Sequence, residues 1–356
     1  MRLLPLLLAA TMTTAPVLVH GQTFQDGVDA YKAEHYETAA EIFQPLAEEG
    51  DAGAQSQLGR MYDIGLGVPQ DDAEAIKLYR LAAQQGEASA QYNLGWEYDR
   101  GEKVPQDSEE AIMWFRLAAE QGHVAAQYNL ALRYNRGEGV PEDNAEAAKW
   151  YRMSAEQGWA PSQIYLGDMF YNGKSVPQNF KKAAKWYRLA AEQGALSAQL
   201  NLGWMYQQGD GVPQDYAKAV KWFRLASEQG MASAQFMLGW MYQQGDGVPQ
   251  DYAEAVRWYR MAAKQGEAWA QNSLGVMYGK GEGVPQNNTN AYILFNLAAT
   301  QGNESARENR EIAAEKLTPD QLAEAQRLSS EWKVGEPLPL IIKWDKTIWE
   351  THKTNP

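Results

Sequence analysis

The sequence predicts an all-α fold, a solenoid of about eight helix-pair repeats of 36 residues with capping helices at its ends. Three observations lead to this prediction. The dipeptide Val-Pro recurs at a constant interval, with no insertion or deletion, at Pro69, Pro105, Pro141, Pro177, Pro213, Pro249 and Pro285. A glycine recurs with the same period from Gly50 to Gly302, and a tyrosine or phenylalanine does so from Tyr62 to Tyr278. Because each period contains two recurring positions that could each close a helix, we expect two helices per repeat.

The composition excludes several classes of function. The chain of 356 residues carries a formal net charge of −13 and has no cysteine. Nucleic-acid binding depends on a surplus of Lys and Arg, so we expect no nucleic-acid partner. Without cysteine there can be no disulfide, thiolate metal site, Cys nucleophile or lipid-modified N-terminal Cys. The four His lack ligand spacing, so we expect neither a metal nor a cofactor.

Residues 1 to 21 have the features of a cleaved signal peptide. Arg2 precedes a largely apolar run, and small or tolerated residues precede a possible cleavage site after Gly21. Pro5 and Pro16 interrupt the run, which is short for a bilayer span. No later segment approaches a span, so the mature chain is expected to lack one and to be periplasmic or secreted.

Residues 22 to 51 are predicted to form an N-terminal capping helix pair of the tetratricopeptide type, and residues 52 to 302 to form the repeat array. In the second helix of each repeat, as at Ala255, Tyr259 and Ala262, the spacing places the apolar side chains on one face. Asp251 is the predicted N-cap of that helix and Gly266 its left-handed stop.

The first helix of a repeat contains Leu-Gly-x-x-Tyr, as at Leu202, Gly203 and Tyr206, with Ala131 in place of the glycine in one repeat and Phe170 in place of the tyrosine in another. A glycine inside a helix costs about 1 kcal/mol relative to alanine, so its recurrence predicts that two helices approach closely there. The following Gly209-x-Gly211 lacks the third glycine and the preceding strand of a phosphate-binding loop, and we interpret it as a turn.

The repeat decays after Gly302. Residues 303 to 332 are predicted to form a degenerate repeat and a C-terminal capping helix, with Thr318 as N-cap and Pro319 in the first turn. Residues 333 to 356 lack a helical period and are predicted to be irregular. Their apolar residues, including Trp344 and Trp349, could fold back onto the array.

The consensus Ala-Gln-x-x-Leu-Gly-x-x-Tyr-x-x-Gly-x-Gly-Val-Pro-x-Asp-x-x-x-Ala-x-x-Trp-Tyr-x-x-Ala-Ala-x-x-Gly resembles the Sel-one-like repeats, a branch of the tetratricopeptide class, over residues 52 to 302. The resemblance implies a right-handed α/α superhelix whose first helices line a concave face. It also implies a non-enzymatic protein that holds a protein or peptide partner, in envelope processes or in contact with a host. Some cysteine-rich members bind or hydrolyse β-lactams, but this chain lacks their cysteines.

Residues that differ between repeats are the candidates for partner recognition, because a fixed column such as Trp114, Trp150, Trp186, Trp222 and Trp258 indicates packing between helices. Aromatic residues in adjacent first helices, within a Gln-rich surround, are typical of a peptide groove. We expect the core of the binding site between residues 200 and 244. No catalytic residue is predicted. The predicted binding residues are Tyr92, Trp96, Tyr128, Leu200, Trp204, Gln207, Phe236, Trp240 and Gln243.

An alternative of a different class is an envelope hydrolase that recognises β-lactam or peptidoglycan. Ser330-x-x-Lys333 matches the S-x-x-K motif of penicillin-recognising enzymes, but neither S-D-N nor K-T-G accompanies it. The recurring acids, such as Glu120, follow an arginine four residues earlier, such as Arg116, and are interpreted as solvated helix pairs rather than catalytic carboxylates. The sequence identifies neither the partner nor the oligomeric state.

Overall fold

The computed structural model describes residues 23 to 341, which form eighteen α-helices and no strand. The predicted all-α fold of stacked helix pairs is confirmed. The helices are α1 (Phe24–Lys32), α2 (Tyr36–Glu48), α3 (Ala52–Ile64), α4 (Asp72–Gln84), α5 (Ala88–Arg100), α6 (Ser108–Glu120), α7 (Val124–Arg136), α8 (Asn144–Glu156), α9 (Ala160–Asn172), α10 (Phe180–Glu192), α11 (Leu196–Gln208), α12 (Tyr216–Glu228), α13 (Ala232–Gln244), α14 (Tyr252–Lys264), α15 (Ala268–Lys280), α16 (Asn288–Thr300), α17 (Glu304–Ala314) and α18 (Pro319–Glu331).

The chain divides into two compact units, Met1–Met153 and Ser154–Pro356, with the boundary inside α8. We call the first helix of each repeat its A helix and the second its B helix. In unit 1, α2 to α7 pack successively, each on the next. In unit 2 the A helices α9, α11, α13 and α15 alternate with the B helices α10, α12, α14 and α16, and each of these helices packs on the next. Helices α17 and α18 both pack on α16.

The helix boundaries follow the predicted capping residues. At the start of α14, Oδ1 of Asp251 accepts hydrogen bonds from the backbone N–H groups of Ala253 and Glu254. Gly266, after its end, has a φ of +87°, which only glycine adopts without strain. Thr318 caps α18 in the same way through Gln321 N–H. Both helices therefore start at a residue whose side chain specifies the start locally.

The glycine inside the A helices, which α7 replaces with Ala131, lies against an aromatic ring of the following B helix. A Cβ atom at Gly203 would lie 2.5 Å from Cε1 of Phe223, and one at Gly239 would lie 2.7 Å from Cδ1 of Tyr259. The predicted close approach of two helices is confirmed. At Gly203 the group that requires it is the ring of Phe223 rather than a second backbone.

A ladder of buried glutamines joins successive repeats, and the sequence analysis did not anticipate it. Nε2 of Gln199 donates to the carbonyl oxygen of Ala191 at 3.2 Å, and Oε1 of Gln199 accepts from Nε2 of Gln229 at 3.1 Å. A buried amide whose oxygen and nitrogen are both hydrogen-bonded avoids the cost of desolvation. The same pair of bonds forms at Gln55, Gln91, Gln163, Gln235 and Gln271.

The segment after α18 returns to the last B helix. The side chain of Asn290 forms two hydrogen bonds with the backbone of Ile341, of 3.1 and 2.8 Å, and Leu338 and Leu340 pack on the core of unit 2. The predicted signal peptide and residues 342 to 356, with Trp344 and Trp349, lie outside the described residues. None of the helices between residues 23 and 341 combines the length and the apolar character needed to cross a membrane.

Candidate functional site

Four predicted residues of unit 2 share one surface, which we call the A-helix face: Leu200 and Trp204 of α11, and Phe236 and Trp240 of α13. Leu200, Phe236 and Trp240 are half-buried and pack on the same apolar cluster. Trp204 is 38% exposed. The four side chains occupy two matching repeat positions on successive A helices, and we call them the apolar strip of this face.

The B helices behind the A-helix face hold its aromatic rings in place. Trp204 meets Phe223 edge to face, with ring centroids 6.1 Å apart, and Phe236 lies 5.8 Å from Tyr259. Phe223 and Tyr259 are fully buried. A rigid ring that remains partly exposed on such a support can pack on a partner with little loss of conformational entropy.

Gln207 and Gln243, the two glutamines predicted to border this face, are less exposed than expected. Gln207 is only 6% exposed, so its prediction as a surface hydrogen-bonding residue is wrong. No donor among residues 23 to 341 forms a hydrogen bond with its buried Oε1 atom. The equivalent Gln243 is half-buried, and its Oε1 accepts from the hydroxyl of Tyr259 at 2.7 Å. Phe223 occupies the position of Tyr259 in the earlier repeat and has no hydroxyl to offer Gln207.

A carboxylate missed by the sequence analysis lies on the neighbouring A helix, α9. Asp168 is half-buried, and its Oδ1 accepts from the hydroxyl of Tyr187 at 2.6 Å. The Tyr187 hydroxyl also interacts with the side chain of Asn201 on α11. Burial raises the pKa of Asp168, and the hydrogen bond from Tyr187 opposes this effect only in part. The signal in the sequence was an acid at the repeat position that carries tryptophan in the next two repeats.

The predicted residues of unit 1 also lie on A helices. Tyr92 is half-buried between Trp96, at a centroid distance of 6.5 Å, and His123, at 4.6 Å. Trp96 is 38% exposed, whereas Tyr128 packs its ring 6.0 Å from that of Tyr151. In unit 1 the exposed indole of Trp96 therefore packs on Tyr92, whose ring packs on that of His123.

Charges on the A helices of unit 1 are neutralised within the unit. Lys103 pairs with Asp63 and lies 3.6 Å from Glu97, and Arg133 pairs with Asp99. Burial raises the pKa of Glu97 and lowers that of Lys103. This face therefore offers a partner few unpaired charges.

Recurring arginines of the B helices contact tyrosines of the next repeat instead of their own glutamates. Nη2 of Arg116 donates to the Tyr134 hydroxyl at 2.7 Å, and Arg224 does the same to Tyr242. Among the ion pairs of the described residues, none joins Arg116 to Glu120, so the expectation of a pair at that spacing is wrong. The regular spacing of these arginines serves contact between repeats.

The tryptophans of the B helices pack within the array, as the constant identity of their position predicts. Trp150, Trp186 and Trp258 are buried, and Trp114 and Trp222 are half-buried. A cation from the preceding residue covers several of these rings, as Lys221 does for Trp222 at 5.7 Å. These indoles contribute to the stability of the stack and not to the A-helix face.

Among the described residues, no hydrogen bond joins the two ends of the hydrolase motif, Ser330 and Lys333. Ser330 is exposed in the last turn of α18, and its hydroxyl donates to the carbonyl oxygen of Arg327 at 2.8 Å. Lys333 follows the C-cap residue Trp332 and lies outside the helix. Within residues 23 to 341, no group of three or more His, Asp or Glu side chains is arranged to hold a metal ion.

The profile of the Sel1 repeat matches residues 52–87, 88–123, 124–159, 160–194, 196–231, 232–267 and 270–303, which together span well over half of the chain. The chain is a Sel1 repeat protein. This confirms the family that the repeat consensus resembles. The A and B helices described above are the two helices of each Sel1 repeat, and the A-helix face belongs to the repeats at 196–231 and 232–267.

Similar solved structures come from bacteria. A Sel1 repeat protein from Oxalobacter formigenes is 34% identical, with a TM-score of 0.59 over 80% of this chain and 85% of the other. A protective antigen present in uropathogenic Escherichia coli strains, displaying an SLR fold, is 31% identical over 94% of this chain and 86% of its own, with a TM-score of 0.44.

A shorter similarity links this Sel1 repeat protein to an exopolysaccharide production negative regulator of Rhizobium leguminosarum bv. viciae. The two sequences are 45% identical over 56 residues, or 16% of this chain. The match spans 21% of the regulator's length. A segment of this size corresponds to between one and two repeats.

Proposed function

We propose that this Sel1 repeat protein is an exported, non-enzymatic scaffold that binds a protein or peptide partner on the A-helix face of unit 2. Sel1 repeat proteins are generally non-catalytic scaffolds, and the repeat positions here are occupied by packing residues. The observation that carries the proposal is Trp204, which stays 38% exposed although Phe223 holds its ring. Exposed apolar strips with rigid aromatic anchors mark binding surfaces.

The border of the strip suits a peptide backbone. Gln208 and Gln244, at the ends of α11 and α13, are exposed amides that donate and accept without adding charge. An apolar centre with a neutral polar rim is the usual anatomy of a protein interface. The proposed site therefore needs neither a cofactor nor a metal.

The test is capture of partners from envelope extract or host secretions with the mature chain, followed by affinity measurement with purified partner. Trp204→Ala and Trp240→Ala should each weaken binding by about 2 kcal/mol if they are hot spots. Met261→Ala is the matched control, because Met261 is 39% exposed but lies on the B helix α14. Normal binding by both tryptophan variants, with loss in Arg60→Ala, would place the partner on unit 1 instead.

The export part of the proposal rests on residues 1 to 21 and is tested separately. The chain expressed in its own cell should be recovered from the periplasm or the medium, with an N-terminus at Gln22. Recovery of the uncleaved chain from the cytoplasm would contradict export and leave the binding site unaffected.

A further inference from the structure

Asp168 is a carboxylate without a cation on an otherwise packed surface. Among the described ion pairs of unit 2, none includes Asp168, and no cation contributes to its pKa shift, which burial dominates. The Tyr187 hydroxyl satisfies Oδ1 and leaves Oδ2 without a hydrogen bond from the described residues. A half-buried carboxylate pays a desolvation cost that a cation would offset.

The position of Asp168 connects it to the A-helix face. Its partner Tyr187 also interacts with Asn201, and Asn201 precedes Trp204 by three residues on α11. Residues three apart on a helix lie on the same side, one turn apart. Asp168 and Trp204 also occupy the same repeat position, 36 residues apart, on the successive A helices α9 and α11.

Two further carboxylates of unit 2 are without a paired cation in the part of the chain that the structure describes. Asp210 and Asp246 follow the C-terminal ends of α11 and α13, and neither takes part in an ion pair among the described residues. The Tyr171 hydroxyl donates to Asp210 at 3.1 Å. Cations of the neighbouring B helices are engaged elsewhere, as Lys218 is with Asp215 and the Tyr206 ring. In unit 1 the half-buried Asp99 is, by contrast, paired with Arg133.

We propose that Asp168 anchors an arginine side chain of the partner, and that an apolar residue beside that arginine packs on Trp204. A guanidinium can donate to the free Oδ2 of Asp168, and this charge-assisted hydrogen bond strengthens when water is excluded. The partner chemistry is therefore a short segment that carries arginine next to leucine or a similar residue. This inference deepens the proposed function and rests on it.

The test uses synthetic peptides on the mature chain, measured by titration calorimetry at low and high salt. The probe is Ac-Leu-Arg-Leu-Arg-Leu-NH₂, compared with the same peptide carrying citrulline, which keeps the shape of arginine without its charge. Asp168→Asn keeps the acceptor for Tyr187 and should weaken binding of the arginine peptide at least about tenfold. Glu228→Gln removes one charge from an exposed position on the B helix α12 and should leave binding unchanged.

Each outcome separates the inference from the proposed function. Preference for arginine over citrulline that disappears in Asp168→Asn supports the inference. Equal binding of the two peptides, or an unaffected Asp168→Asn variant combined with loss in Trp204→Ala, overturns the arginine anchor but keeps the A-helix face. Binding that neither Trp204→Ala nor Asp168→Asn alters overturns both. Absence of binding up to about 1 mM peptide also overturns the arginine anchor.

Discussion

Two glycines of unit 2 provide a test of the contact between A and B helices. Alanine in place of Gly203 would put Cβ 2.5 Å from the Phe223 ring, which is fully buried. Alanine in place of Gly279, near the end of α15, would meet only Cβ of Ala291, at 3.9 Å. The same glycine-to-alanine change is therefore opposed by packing at Gly203 and meets ordinary van der Waals contact at Gly279.

The two substitutions should shift the free energy of unfolding in opposite directions. Alanine favours a helix interior by up to about 1 kcal/mol over glycine, so Gly279→Ala should stabilise by up to that amount. At Gly203 the ring must move by about 1 Å to restore ordinary contact, and overpacking of this kind costs about 1–3 kcal/mol. The net effect of Gly203→Ala should be destabilising, because the free-energy cost of overpacking exceeds the gain from helix propensity.

Urea denaturation followed by circular dichroism at 222 nm measures both effects on the mature chain. The wavelength reports helix content, and unfolding midpoints compared at unchanged m-values give the change in free energy. A Gly203→Ala midpoint at or above that of the unchanged chain would show that the ring of Phe223 can yield, and the packing argument would then fail. Gly203→Leu should be more destabilising than Gly203→Ala, since its side chain is larger.

Two further predictions concern single polar contacts. Phe223→Tyr should supply a hydroxyl donor to Gln207 and raise the free energy of unfolding by about 0.5–1.5 kcal/mol. Tyr259→Phe should remove the donor to Gln243 and lower the free energy of unfolding by about 1–3 kcal/mol. Unchanged urea midpoints for both variants would disprove the pairing. His123 caps α7 by accepting from a backbone N–H at Nδ1, and burial lowers its pKa from 6.5, so its neutral form is favoured on folding. The stability that the neutral His123 cap contributes is present above about pH 6.5 and is lost as the pH falls through the pKa of His123 in the folded chain. Stability should therefore decline less between about pH 7 and 5 in His123→Asn, which keeps a cap that does not titrate; equal slopes would exclude His123 as the titrating group.

The sequence by itself determined the repeat period, the order of A and B helices and most helix ends. These features depend on local chemistry, such as the cap at Asp251 and the left-handed stop at Gly266, and on a spacing that repeats along the chain. The close contact at Gly203 was also predictable, because a glycine that recurs inside a helix despite its low propensity indicates a position with little room for a side chain. The family followed from the same recurring positions.

The candidate site was predictable only in its apolar part. Trp204 stays exposed as expected, but Gln207 is buried and Gln243 is bonded to Tyr259 although both follow the same sequence pattern. Whether the next B helix carries tyrosine or phenylalanine decides which amide is satisfied, and that residue lies sixteen positions further along the chain.

Only the tertiary structure showed which group bonds Asp168. Its partner Tyr187 lies on the next B helix and also interacts with Asn201 of α11, and a pattern read along one helix does not contain these contacts. The glutamine ladder depends in the same way on residues thirty positions apart. A local pattern determines which residues form a helix and which face they occupy, whereas the partner of a polar group is decided by the elements that fold against it.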